Sequence, residues 1–186
     1  QFQTANKAAS SSNAGDWTAM GPFEAPNPFN SPYPGIGRIN CITFDPTNGN
    51  TIWAGTPAGG LWKSTDNGVT WTTNTDDLPN LGISSIAIDP VHPDTMYIAT
   101  GDRDGGDTYS YGILKSIDGG VTWNTTGLNF SIQGGVRVGT IHIVPTNTQI
   151  IIVAARNGIH RSTDGGATWS GIVSGSFNTL APDAMR

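Results

Sequence analysis

Apolar and polar positions along this chain fall into one order of events that occurs three times. An apolar, β-rich run, Ile39–Phe44, leads into the turn Asp45-Pro46-Thr47-Asn48-Gly49. A second run covers Thr51–Ala54, a third Gly59–Ser64, and after a tight polar turn a fourth covers Thr70–Thr73. The same order returns as Ile83–Ile88, the turn Asp89-Pro90-Val91-His92-Pro93, Met96–Ala99, Gly112–Ser116 and Thr122–Thr125. It returns again as Val138–Val144, the turn Pro145-Thr146-Asn147, Ile150–Ala154, Gly158–Ser162 and Thr168–Gly171. Runs this short, bounded by Gly, Pro, Asn and Asp, predict β-strands. They alternate only weakly between apolar and polar, which predicts strands covered on both faces.

The polar turn between the third and fourth strands is a fixed phrase: STDNGVTW over Ser64–Trp71, SIDGGVTW over Ser116–Trp123 and STDGGATW over Ser162–Trp169. Asp66 and Asp118 are 52 residues apart, Asp118 and Asp164 46, about the length of a four-stranded propeller blade. The fold expected is all-β: three blades of four antiparallel strands, part of a larger propeller of seven blades or more. Within the phrase, the aspartate (Asp66, Asp118, Asp164) accepts backbone N–H groups and closes the turn. The glycine (Gly68, Gly120, Gly166) supplies a positive φ. The threonine (Thr70, Thr122, Thr168) points its hydroxyl back into the turn, behind the opening serine (Ser64, Ser116, Ser162). The tryptophan (Trp71, Trp123, Trp169) starts the last strand and buries a large area. Every one of these roles is structural.

Composition narrows the picture. Charged residues are 12% of the chain and the formal net charge is −5, with Glu24 the only glutamate. A neutral, hydroxyl-rich surface of this kind suits a secreted protein. The chain shows no basic stripe, which argues against nucleic acid as a partner, and no apolar run of membrane-spanning length, which argues against helical membrane insertion. Cys41 is the only cysteine, so no internal disulfide forms; it is expected as a small core residue. His92, His142 and His160 lie in different units and no two have the spacing of a zinc site. Two triplets, Asn124-Thr125-Thr126 and Asn129-Phe130-Ser131, match the N-glycosylation pattern.

The organisation expected is a flexible arm over 1–16, a strand completing another blade plus a Pro/Gly-rich loop over 17–37, blades over 38–78, 79–128 and 129–175, and the start of a further segment over 176–186. The phrase Ser11–Trp17 reads as an eroded copy of the turn, and Trp17–Gly21 as the outer strand of a blade whose inner strands lie elsewhere. The chain is therefore expected to be a fragment of a larger exported protein, with closure of the ring by oligomerisation as the alternative.

The three phrases resemble those of the Asp-box (BNR) propellers, which include sialidases, sortilin-type receptors, xyloglucan hydrolases and large secreted Bacteroidetes proteins with a type IX secretion sorting domain. The likeness spans residues 38–172. It implies that the loops between second and third strands approach the axial site. In the xyloglucan hydrolases the matching loop carries a threonine, a catalytic aspartate, one more residue and two glycines. Here the loop reads Gly55-Thr56-Pro57-Ala58-Gly59-Gly60, with Pro57 at the aspartate's place, so this loop lacks one of the two carboxylates that glycoside hydrolysis uses. Arg38 sits in a faint likeness of the sialidase arginine motif, with Asn40 where a proline is expected, and is otherwise read as a strand-start residue with an outward side chain.

The second unit has the longest loop, Thr100–Tyr111. Asp102, Asp104 and Asp107 are weak candidate calcium ligands; the competing reading is a solvated loop whose carboxylates pair with Arg103. Arg103, Tyr109 and Tyr111 are candidate ligand-facing residues. No catalytic residue and no cofactor other than calcium is expected. The leading functional expectation is a non-catalytic binding or scaffold module, secreted or at a bacterial cell surface. Its partners would be a protein or glycan ligand, further blades of the same chain, or secretion machinery. The alternatives are a glycoside hydrolase with its carboxylates in other blades, and a sortilin-like receptor or assembly domain that binds peptides.

Overall fold

The computed structural model describes residues 37–104 and 108–177. The expected arm, the strand at Trp17, Asp107 and the last nine residues lie outside these. The described residues form three four-stranded antiparallel sheets. Blade 1 contains β1 (Cys41–Phe44), β2 (Ile52–Gly55), β3 (Leu61–Ser64) and β4 (Thr72–Thr73). Blade 2 contains β5 (Ile83–Ile88), β6 (Met96–Thr100), β7 (Gly112–Ser116) and β8 (Asn124–Asn129). Blade 3 contains β9 (Val138–Ile143), β10 (Ile151–Ala155), β11 (Gly158–Ser162) and β12 (Ser170–Val173). One 3-10 turn, Ile132–Gly134, links blades 2 and 3. Each sheet runs in chain order from an inner strand (β1, β5, β9) to an outer one (β4, β8, β12). Neighbouring inner strands pack on one another, β5 between β1 and β9.

The core lies between blades rather than within them. Trp53 and Leu61 of blade 1 meet Ile86, Met96, Ile98 and Leu114 of blade 2. On the opposite face of blade 2, Ala87, Tyr97, Ala99 and Ile113 meet Ile141, Ile143, Ile151 and Val153 of blade 3. A sheet buried on both faces has no polar side to show, which accounts for the weakly alternating runs of the middle blade: all five residues of β6 are buried. Close approach is also steric. Gly120 has φ +80, and a Cβ there would fall 2.5 Å from the Trp53 ring, so blade 1's tryptophan fits only against a residue without a side chain.

The outer strands begin later than the sequence predicts. The sequence places them from Thr70, Thr122 and Thr168 onward, the tryptophan included. In the structure the threonine and the tryptophan belong to the turn. Thr70 gives both its N–H (2.8 Å) and its hydroxyl (2.6 Å) to the Asp66 carboxylate, so its backbone is committed to the turn and β4 is left with two residues.

Candidate functional site

The Asp-box turns are locally complete. In the second, the Ser116 hydroxyl donates to Asp118 (2.7 Å) and accepts from the Gly120 N–H (2.8 Å), while Asp118 also accepts the Thr122 N–H (2.9 Å) and hydroxyl (2.6 Å). The first and third turns repeat this pattern. The threonine hydroxyl, the threonine N–H and the serine hydroxyl, in that order, hold each aspartate down to a pKa of about 2. A carboxylate so low and so fully engaged is neither a proton donor nor a base at neutral pH.

Chemistry is available at the opposite end of the inner strands, where β1, β5 and β9 begin and the connections after β2, β6 and β10 turn back. There Arg38 pairs with Asp102, a side chain buried completely beneath an arginine that is 45% exposed. Asp102 also accepts the Asp104 N–H (3.3 Å), and its own N–H donates to the Thr108 carbonyl (2.9 Å). Asp104 is 59% exposed and lies 3.5 Å from the Arg103 guanidinium, the solvated pairing weighed above against calcium. Among the described residues, no group of three potential ligands surrounds a metal position. Tyr109 lies under the Arg137 guanidinium, 5.7 Å from ring centre, and its carbonyl accepts from the Asn80 amide (2.5 Å). Tyr111 turns inward against the core between blades 1 and 2, its hydroxyl buried without a partner among the described residues and its pKa raised by burial to about 12.

Arg137 escaped the sequence reading, although a signal for it exists. Aligning Ile42 with Ile141 by their cross-strand partners places Arg38 and Arg137 at the same register. Blade 2 has Gly82 there, and a Cβ on Gly82 would fall 2.2 Å from the Thr108 hydroxyl. The long loop therefore closes over blade 2 where the flanking blades each present an arginine. Pro57 is tied into the same rim through its carbonyl, which accepts the Thr108 hydroxyl (2.9 Å).

Along the inner strands runs a groove of about 440 Å³ whose lining is mostly apolar, Cys41, Ile42, Ile86 and Ile141 among it, with Thr43 and His142 between. Burial raises the Cys41 thiol to about 11, against smaller opposing effects of the Gly55 backbone and of Arg103. The rim offers two guanidinium groups and one aromatic face beside a mostly apolar groove, the combination of a few placed polar groups and apolar surface that ligand sites use.

The chain is similar to carbohydrate-degrading enzymes. It is 36% identical over 152 residues to a xyloglucanase of Paenibacillus sp, across 75% of this chain and 15% of that protein. It is 34% identical over 163 residues to a xyloglucanase of Hypocrea jecorina, across 80% of this chain and 19% of that one. It thus spans less than a fifth of the length of either relative. Among solved structures, an ancestral GH74 enzyme overlays with a TM-score of 0.61 at 23% identity, across 73% of this chain and 18% of that one. The GH74 xyloglucanase from Xanthomonas campestris gives 0.58 at 24% identity, across 74% and 21%. The structural likeness carries the propeller fold. The named relatives overturn the expectation of a non-catalytic binding or scaffold module, because they are hydrolases and favour the glycoside-hydrolase alternative. A family model, Sortilin-Vps10, described as sortilin, neurotensin receptor 3, matches residues 59–179, more than half of the chain, and the protein belongs to that family.

Proposed function

We propose that this chain forms part of the propeller of an extracellular glycoside hydrolase acting on xyloglucan or a related neutral β-glucan. The observation that carries this reading is the 36% identity over 152 residues to a xyloglucanase. The neutral, hydroxyl-rich composition agrees with an extracellular setting and an uncharged polymer. In this reading the three blades build one wall of the substrate cleft. The partly exposed Thr43 hydroxyl and the Arg137–Tyr109 pair contact sugar hydroxyls and a ring face.

Hydrolysis of a glycosidic bond uses one carboxylic acid to protonate the leaving oxygen and one carboxylate to activate water or attack the sugar. Pro57 supplies neither, and Asp102 is committed to Arg38. The reading therefore assigns the catalytic pair to blades other than these three, with the rim holding the glycan in place.

The experiment is release of reducing ends from xyloglucan, mixed-linkage glucan and cellulose by the whole natural polypeptide. Cleavage of one of them, with KM raised and kcat little changed in Arg137→Ala, is the expected result. A folded protein that cleaves none of the three refutes the proposal.

A further inference from the structure

Neighbouring blades are fastened alike at the Asp-box end. Lys63 crosses to blade 2 and donates to the Gly119 carbonyl (3.3 Å), and Lys115 crosses to blade 3 and donates to the Gly165 carbonyl (3.0 Å). Each lysine also lies over its partner across the sheet, Lys63 over Trp53 and Lys115 over Tyr97. At the rim the two junctions differ, although blades 1 and 3 present an arginine at the same register. Arg38 meets a carboxylate, Asp102, whose side chain is completely buried. Arg137 meets the face of Tyr109, 5.7 Å from ring centre. Among the described residues Arg137 forms no ion pair, and its Nε is buried without a hydrogen-bond partner.

Asp102 and Tyr109 stand on the two stems of one loop, the connection after β6, and hydrogen bonds join them. The Asp102 N–H donates to the Thr108 carbonyl (2.9 Å), closing the stems on each other. Thr108, next to Tyr109 in the chain, gives its hydroxyl to the Pro57 carbonyl of blade 1 (2.9 Å). The Tyr109 carbonyl accepts from the Asn80 amide (2.5 Å). On its other side the Ser110 N–H donates to the Val136 carbonyl of blade 3 (2.9 Å). The stems therefore touch all three blades, with the buried carboxylate at one end and the Tyr109 ring at the other. A buried ion pair adds little net stability over apolar side chains of the same size, because both charges lose water, but it holds its groups in one arrangement. The blades are already fastened at the Asp-box end, so what the Arg38–Asp102 pair adds is the place of the loop.

We infer that Asp102 is a positioning residue: held by Arg38, it sets the Tyr109 ring against Arg137 and so governs how tightly the rim holds a sugar ring. The inference rests on the reading of the rim as a glycan contact, and it places the effect of Asp102 in binding rather than in bond cleavage.

The test uses the whole natural polypeptide and has two arms. The first needs no substrate. With 3-fluorotyrosine in place of Tyr109, the fluorine resonance should shift or broaden in Asp102→Asn and in Arg38→Met; two variants are made because either alone can fail to fold. An unchanged resonance in a folded variant overturns the inference. The second arm is a double-mutant cycle on xyloglucan hydrolysis. Asp102→Asn should raise KM about fivefold with kcat within about twofold of the wild type, and should raise it no further in a Tyr109→Ala background. A loss of stability alone would leave KM unmoved in the folded enzyme. Equal increases of KM in both backgrounds mean that Asp102 acts apart from Tyr109 and overturn the inference. A polypeptide that cleaves no glucan refutes the hydrolase reading instead, and the fluorine arm then decides the positioning by itself.

Discussion

At the scale of single residues, the three turn aspartates set the response to acid. Each has a folded pKa of about 2, against an ordinary value of 3.8. A depressed pKa means that the charged form is favoured by folding. The contribution is therefore complete above pH 4 and is lost as pH falls from 4 toward 2. Thermal melting across that range should show a steep loss of midpoint. The triple variant Asp66→Asn, Asp118→Asn, Asp164→Asn should start lower at pH 7 and show a flatter slope below pH 4. A wild-type midpoint independent of pH over this range contradicts the assignment. Cys41 behaves in the opposite sense. With its thiol raised to about 11, little thiolate exists at pH 8, and alkylation by iodoacetamide should be at least tenfold slower than for a free cysteine peptide. The roles inside the box were legible in the sequence because all partners lie within four residues. The pairing of Arg38 with Asp102 was not, because 64 residues separate them and only the stacking of blade 1 on blade 2 brings them together.

At the scale of elements, the informative events are where strands end and what crosses between them. The inner strand of blade 2 was readable as an apolar run because both its faces are covered. The short β4 was not, because the hydrogen bonds of Thr70 decide where it begins. The lysines before the first two turn serines stood in plain view but carried no meaning until the register showed Lys63 opposite Trp53 and Lys115 opposite Tyr97. Two substitutions test this layer by chemical denaturation. Gly120→Ala forces a methyl group into the Trp53 ring at a positive φ, and should destabilise by about 3 kcal/mol. Lys115→Met keeps the aliphatic stem and removes the donor to Gly165, and should cost about 1 kcal/mol. A Gly120→Ala variant as stable as the wild type would mean that the blades do not meet as described.

At the scale of the whole molecule, stability passes between nearest neighbours, as in other repeat proteins. Blade 2 is packed on both faces, whereas blades 1 and 3 each have one packed face among the described residues. Hydrogen exchange of the 186-residue chain should therefore be slowest in β6 and β7 and fastest in β4 and β12, with the inner strands of the outer blades between them. Uniform protection across the three sheets would count against nearest-neighbour stacking. The fold could be read from the sequence because it is written three times. The candidate rim was legible in part: the loop after β6, with Asp102 and Tyr109, stands out by its length, whereas Arg137 does not, because its place over Tyr109 is set by the packing of blade 3 on blade 2.

The cation before each turn has a consequence for how such a chain can change. Donor and acceptor sit side by side in the second unit, where Lys115 donates to the Gly165 carbonyl of blade 3 and, four residues on, the Gly119 carbonyl receives Lys63 of blade 1. A duplicated unit therefore arrives with both halves of the fastening. It can be inserted after any existing unit without a matching change elsewhere, and removed with equally little disturbance. Blade order and blade number are then free to drift while each junction stays chemically whole, and variation is channelled into the loops at the rim, where a change of ligand leaves the fastening untouched.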